Sequence, residues 1–330
     1  MSTLTDSTAR GRNAIFKLSA DTFQNLAVSA IFLLMCIIVA IIEPKFLSLQ
    51  NFSNVLMQVS SVIMVGSAVT MVLISGNLDL SVGAVGAMAG VLYAMLARDG
   101  MPVLPAAGLA ILAGGIIGLT NGSIISAFRL PSFIITMATM YIARGIAYIG
   151  AEGAVITAGL PGNFGNMGQG FFGPVPRPLV YALIIFAFFL VFQNRTVMAR
   201  KAYAIGANIK TAELSGISIF KVVTSIFALT GLTAAFAGVV LTARFGQADC
   251  KIMPGFEVDC VIAAVLGGTD INGGRGTVFG TLIGALIVGV LSNILNMMGF
   301  VLYYQYVIKG IVLILAIVFN AAIRRIFKAA

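Results

Sequence analysis

Ten apolar stretches separated by short polar breaks constrain this chain more than any other feature. They run over 26–43, 54–75, 82–97, 103–127, 133–150, 177–193, 221–243, 256–272, 277–297 and 302–323. A helix needs about 20 mostly apolar residues to cross a hydrocarbon core of about 30 Å. Soluble domains carry roughly 25% charged residues, whereas here 9% are charged and 59% are hydrophobic. That is too little charge to cover a water-facing surface. The expected fold is an all-α, polytopic membrane helical bundle with about ten transmembrane helices. The stretches 82–97 and 256–272 are short and glycine-rich, so each is read either as a full span or as a re-entrant one. The expected organisation is a polar N-terminal segment, 1–25, a single transmembrane domain, 26–323, carrying a charged loop at 194–220, and a tail, 324–330. The polar start has no short apolar core followed by a small-residue cleavage site, so Leu26 to Ile42 reads as an uncleaved first span.

Charge sets the orientation. The chain has 20 Lys and Arg against 11 Asp and Glu, a formal net charge of +9. In a membrane protein this excess reads as the collection of basic residues in cytoplasmic loops rather than as a nucleic-acid surface. With both termini inside, most of the basic residues fall on the cytoplasmic side: Arg10, Arg12 and Lys17, Arg129, the cluster from Arg195 to Lys221, Arg275, and Arg324, Arg325 and Lys328. Residues 151–176 then lie outside.

Several chemistries are excluded. There is no histidine, which removes His-based zinc motifs, Ser-His-Asp catalysis and His proton relays. Cys36, Cys250 and Cys260 make neither a disulfide framework nor a metal spacing. Gly168 to Gly173 matches a dinucleotide fingerprint, but no βαβ unit surrounds it. A P-loop needs Gly-x-x-x-x-Gly-Lys-Ser/Thr. The stretch Gly268 to Thr277 comes nearest and has no lysine. ATP hydrolysis is therefore not expected of this chain.

Ionisable groups in or near the spans are Asp79, Arg144, Glu257, Asp259, Asp270 and Lys309. Arg144 and Lys309 sit deepest, and neither has an acidic partner evident in sequence. They read as charges that neutralise a helix end or pair across helices, or as groups used in transport. Gly86/Gly90, Gly118/Gly122, Gly276/Gly280 and Gly280/Gly284 are spaced for close helix approach, either within the subunit or at a dimer seam. Gly76 to Gly83 and Gly268 to Gly274 echo one another, each placing an aspartate between glycines at the end of a span. In the charged loop, Asn208 is placed to cap a short helix and Gly216 to end it. That helix is either a docking element or a surface-lying amphipathic segment.

Four motifs carry a family resemblance: Ser75 to Gly83; Ala204 to Asn208 continuing to Ala212 and Leu214-Ser215-Gly216-Ile217; Glu257-Val258-Asp259 leading to Gly267-Gly268-Thr269 and Gly273 to Gly276; and Tyr303-Tyr304-Gln305 with Lys309-Gly310. From about Pro44 to Phe319 the chain resembles the permeases of ribose-type monosaccharide ATP-binding cassette (ABC) importers, within the branched-chain amino acid/ribose permease superfamily. Thr211, Cys260, Ile262, Asp270 and Asn272 depart from that family's usual small residues.

The resemblance implies a type II ABC importer-like bundle in the bacterial inner membrane, working as a homodimer in the lipid bilayer. It implies a periplasmic sugar-binding protein and a separate cytoplasmic ABC ATPase subunit that holds ATP and Mg, with no cofactor in this chain. The ATPase-coupling residues would be Gly206, Ala207, Asn208, Ala212, Glu213, Leu214, Ser215 and Gly216. Candidates for the substrate pathway are Asn121, Thr136, Tyr141, Ser292, Asn293 and Asn296. Ribose leads the candidate sugars, followed by allose, galactose and xylose. The alternatives are an ion-coupled secondary sugar carrier or a channel; a membrane-embedded enzyme lacks a catalytic cluster.

Overall fold

The structure, a computed structural model, describes residues 20–329. Most of segment 1–25 and Ala330 lie outside the described residues. So do the side chains of the terminal basic residues used above to orient the chain.

Twelve α-helices follow in order among the described residues: α1 Ala20–Ile42, α2 Leu49–Ile74, α3 Val82–Arg98, α4 Val103–Phe128, α5 Ser132–Gly150, α6 Arg177–Arg195, α7 Val197–Ala207, α8 Ile209–Leu214, α9 Ile219–Phe245, α10 Phe256–Leu266, α11 Val278–Met297 and α12 Leu302–Ala329. Six of them, α2, α4, α5, α6, α9 and α11, are long and apolar enough to cross a membrane. Shorter apolar helical stretches cover Phe32–Ile42, Val82–Arg98 and Leu302–Val318.

Helix α2 is the centre of the bundle. Every residue from Val59 to Ile74 is buried, as expected of a helix that is apolar on all sides and covered on all sides. Ser48 begins it, accepting a hydrogen bond from the Asn51 N–H at 3.2 Å. Gly76, at φ +77°, ends it by turning the chain where a Cβ would be strained. By contrast, α4, α5 and α6 present exposed Leu104, Ile116, Ile142, Ile149, Ile184 and Val191. An apolar outer face of this kind suits hydrocarbon rather than water.

Small residues bring the backbones together. Gly118 packs on the Phe227 carbonyl and Gly231, Gly86 on Ala234, and Gly90 on Thr242 and Gly238, so α3 and α4 both close onto α9. On the other flank, Gly280 meets the Gly267 carbonyl and Gly284 the Ala263 carbonyl, closing α11 onto α10. Tight packing inside one subunit therefore accounts for these glycine spacings.

Helix α10 is shorter than its apolar run predicts. Its 11 residues rise about 16 Å at 1.5 Å each, about half a hydrocarbon core. Gly267 and Gly268, the latter at φ +95°, stop it. The chain continues as a glycine turn pinned by the Gly274 N–H to the Ile74 carbonyl at 2.8 Å. This turn reaches the same end of the bundle as the C-terminus of α2, so the two echoing Asp-and-Gly segments meet, with Gly273 against Gly76. Segments 75–81, 267–277 and the α7–α8 loop gather at that end, the Asn208 end. The α2 N-terminus, 151–176 and 246–255 gather at the other, the Asn51 end.

At the Asn51 end, residues 151–176 form a 3-10 turn, Phe164–Met167, and a two-residue hairpin, β1 Phe171–Phe172 with β2 Val175–Pro176. The turn is held by Tyr93, whose ring stacks on Phe164 at 4.6 Å and whose hydroxyl donates to the Phe164 carbonyl. Gly168 lies against the α9 backbone and Gly173 turns the hairpin. The fingerprint-like spacing thus serves a packed turn, with no βαβ unit.

Candidate functional site: a polar cleft and a capped loop

A cleft of roughly 610 Å³ opens at the Asn51 end between α2, α9, α10, α11 and α12. Three polar stripes line it. Asn51, Asn54 and Gln58 stand on the first turns of α2 at helical spacing, Ser292, Asn293 and Asn296 on the last turns of α11, and Gln305 and Lys309 on α12. Asn51 and Asn293 exchange two amide hydrogen bonds, at 3.1 and 2.8 Å. Asn296 accepts from Gln305 at 2.8 Å. Buried amides joined in this way leave little desolvation penalty unmet. Phe245 and Arg244 border the cleft from α9.

Lys309 has its acid after all. Its ammonium donates to Asp259 on α10 at 2.8 Å, and both side chains are largely buried, at 15% and 13% exposure. Arg144 finds carbonyls instead, those of Cys250 and Ile252 at 2.7 and 2.9 Å, and so pins the 246–255 loop to α5.

Of the six residues expected to line a pathway, the structure brings Ser292, Asn293 and Asn296 together in the cleft. Asn121 and Thr136 lie elsewhere, in a buried network around Asp79. There Asp79 accepts from the Ser81 N–H and hydroxyl at 2.8 and 2.6 Å, Asn121 donates to Ser81, and Thr139 donates to Asn121. Ser132 and Thr136 accept from the N–H groups of Leu78 and Leu80, giving the extended segment its missing partners. Tyr141 is 70% exposed on α5 and lines neither cleft. Sequence reasoning did not single out Asn51 or Gln58, which line the cleft, although the i, i+3, i+7 spacing of Asn51, Asn54 and Gln58 on α2 was there to be read.

At the Asn208 end the loop between α6 and α9 folds as two short helices. Thr196 caps α7, accepting from the Ala199 N–H at 3.1 Å. Asn208 caps α8, accepting from the Thr211 N–H at 3.0 Å. Gly216, at φ +75°, closes α8, with the Ile217 N–H returning to the Ala212 carbonyl at 3.1 Å. Ala207 meets Gly274, Ala212 is buried, and the Ser215 hydroxyl donates back to the Thr211 carbonyl at 2.9 Å. Gly206 sits against the Ile74 carbonyl and Gly274 N–H with no room for a Cβ. Glu213 accepts from Arg129 at 2.7 Å, tying α8 to the α4–α5 turn. A second cleft, roughly 910 Å³, opens between these segments. Leu214, 91% exposed, projects beside it, with Ile209 and Phe220 also exposed.

Among the described residues no group of three or more His, Cys, Asp or Glu could hold a metal ion. Apolar helices with a polar cleft at one end and a capped, basic loop at the other define a polytopic membrane permease.

The chain belongs to the family of branched-chain amino acid transport system permease components, whose profile matches residues 51–317. It is 39% identical to the ribose import permease protein RbsC of Bacillus subtilis (strain 168) over 87% of this chain and 89% of that one. It is 34% identical to RbsC of Escherichia coli (strain K12), over 95% and 98% of the two chains. With the D-allose transport system permease protein AlsC of Escherichia coli (strain K12) it shares 33% identity over 89% and 91%. No solved structure matches it.

Proposed function

We propose that this chain is the membrane-spanning permease of an ABC importer that carries a monosaccharide across the bacterial inner membrane. Ribose is the leading candidate, followed by allose, galactose and xylose. Helices α1–α6 and α9–α12 supply about ten spans, with α10 completed by the glycine turn. Both termini and the Asn208 end face the cytoplasm, and residues 151–176 face the periplasm. A second copy of the chain completes the path. A periplasmic binding protein delivers the sugar to the Asn51 end, and an ATPase pair binding ATP and Mg docks against α7 and α8.

The observation that carries this reading is the separation of a polar, amide-lined cleft from a rigidly seated loop helix at the opposite end. Amides and hydroxyls suit a neutral polyol that must be released again. A seated loop gives the ATPase different contacts in its open and closed states, as a driven change of access requires. The names of the relatives support the substrate class.

The test is ATP-driven uptake into proteoliposomes by permease, ATPase and binding protein together. Omitting the ATPase should abolish uptake, and the permease alone should hydrolyse no ATP. Uptake by the permease alone under a proton gradient would establish the ion-coupled reading, which the buried Lys309–Asp259 pair favours.

A further inference from the structure

We infer that Asp259 and Lys309 form a hydroxyl-recognition pair in the wall of the cleft, taking one hydroxyl of a neutral sugar as it passes. The inference rests on the importer reading and specifies the chemistry of the same cleft.

Both residues line the cleft, and their ion pair joins α10 to α12. Burying two charges between apolar helices is costly, and a pair of apolar side chains would hold those helices as well or better. A pair serving only to lock the helices would also be expected to use all its hydrogen-bonding capacity. This one does not. One Asp259 oxygen takes the Lys309 ammonium, while the other, Oδ1, is covered and has no partner among the described residues. The carboxylate's terminal torsion is soft, so a partial turn would bring the unpaired oxygen toward the cleft while the other stays beside the ammonium.

The ammonium has three donors, and among the described residues it makes one bond, to Asp259. An acceptor and a donor held side by side complement a hydroxyl, which both donates and accepts. They fit neither an isolated cation nor an anion as well, because each charge is already balanced by its neighbour. Phe245 on the cleft border offers an apolar surface to the same cleft.

Two paired variants test this in the complete transporter with ATPase and binding protein. Asp259→Leu with Lys309→Met removes both charges and keeps apolar packing. Asp259→Lys with Lys309→Asp keeps the pair and exchanges its ends. Both should assemble with the ATPase and keep hydrolysis stimulated by loaded binding protein. In the uncharged variant, uptake of D-ribose, or of whichever candidate sugar the unmodified complex moves, should fall about tenfold or more, as when a site built for a hydroxyl loses its partner. The exchanged variant, which keeps a donor beside an acceptor, should retain more uptake than the uncharged one. Uptake at the unmodified rate in the uncharged variant would show a mere helix lock and overturn the inference while leaving the importer reading intact. No uptake of any candidate sugar by the unmodified complex overturns both.

Discussion

Glu213, on the capped loop helix, accepts a hydrogen bond from Arg129 at 2.7 Å, joining two segments 84 positions apart in sequence. The family resemblance places Glu213 among the residues that would couple to a separate ATPase. The structure gives it a partner within the chain, at side-chain exposures of 77% for Arg129 and 36% for Glu213. An exposed pair of this kind contributes only about 0.2–1 kcal/mol, so its interest lies in position rather than stability. Glu213→Arg should insert normally and lose ATPase-coupled uptake. Adding Arg129→Glu should restore uptake if the internal pair positions the loop. Failure of the double variant, with the ATPase still co-purifying, would instead assign Glu213 to the partner surface.

The caps of α8 make a second prediction. Losing an Asn cap costs about 0.5–2 kcal/mol, a large share of the stability of a six-residue helix. Asn208→Ala should accelerate amide exchange over 209–214, and Gly216→Val should do so more strongly because of its positive φ. Stimulated ATPase activity should fall in the same order. Unchanged exchange in both variants would mean the loop helix is held by something other than its caps.

Close packing makes a third. A Cβ at Gly206 would overlap the Ile74 carbonyl, so Gly206→Ala should lower the yield of folded protein and its Tm by several degrees. Gly108, whose added Cβ would meet nothing, serves as the control and should tolerate alanine. Equal effects at the two positions would contradict this account of the joint.

Topology is the fourth. On a background without Cys36, Cys250 and Cys260, a cysteine at 162 should react with an impermeant reagent added outside intact cells, and one at 208 should not. Labelling at 208 from outside would reverse the orientation proposed.

Much of this bundle was legible from local pattern. The apolar runs gave the helices because a spanning segment must satisfy its own backbone groups. The Asn208 and Gly216 caps were readable because they act within a few residues. What escaped depended on distance. Lys309 is paired with a residue 50 positions away, and Asn51 with one 242 positions away. Asn121 and Thr136, expected along a pathway, stand in the Asp79 network, because sequence does not show which element a buried amide or hydroxyl will face. Whether 256–272 made a full or a shortened helix stayed open for a related reason. Gly267 stops the helix where it meets the backbone of Gly280, a contact made by another helix.

Where Gly206 lies on the Ile74 carbonyl, the loop, the central helix and the glycine turn share a layer of main chain with no side chain between them. Such a joint has no play, because main chain in van der Waals contact has few alternative packings to absorb a displacement. It also has almost no room for substitution. The walls of α2, α11 and α12 are different, since their amides meet side chain to side chain, Asn51 with Asn293 and Asn296 with Gln305, and can be exchanged pair by pair. In the mechanism proposed here, a transporter of this design can change its cargo by redecorating those walls while the drive train stays the same.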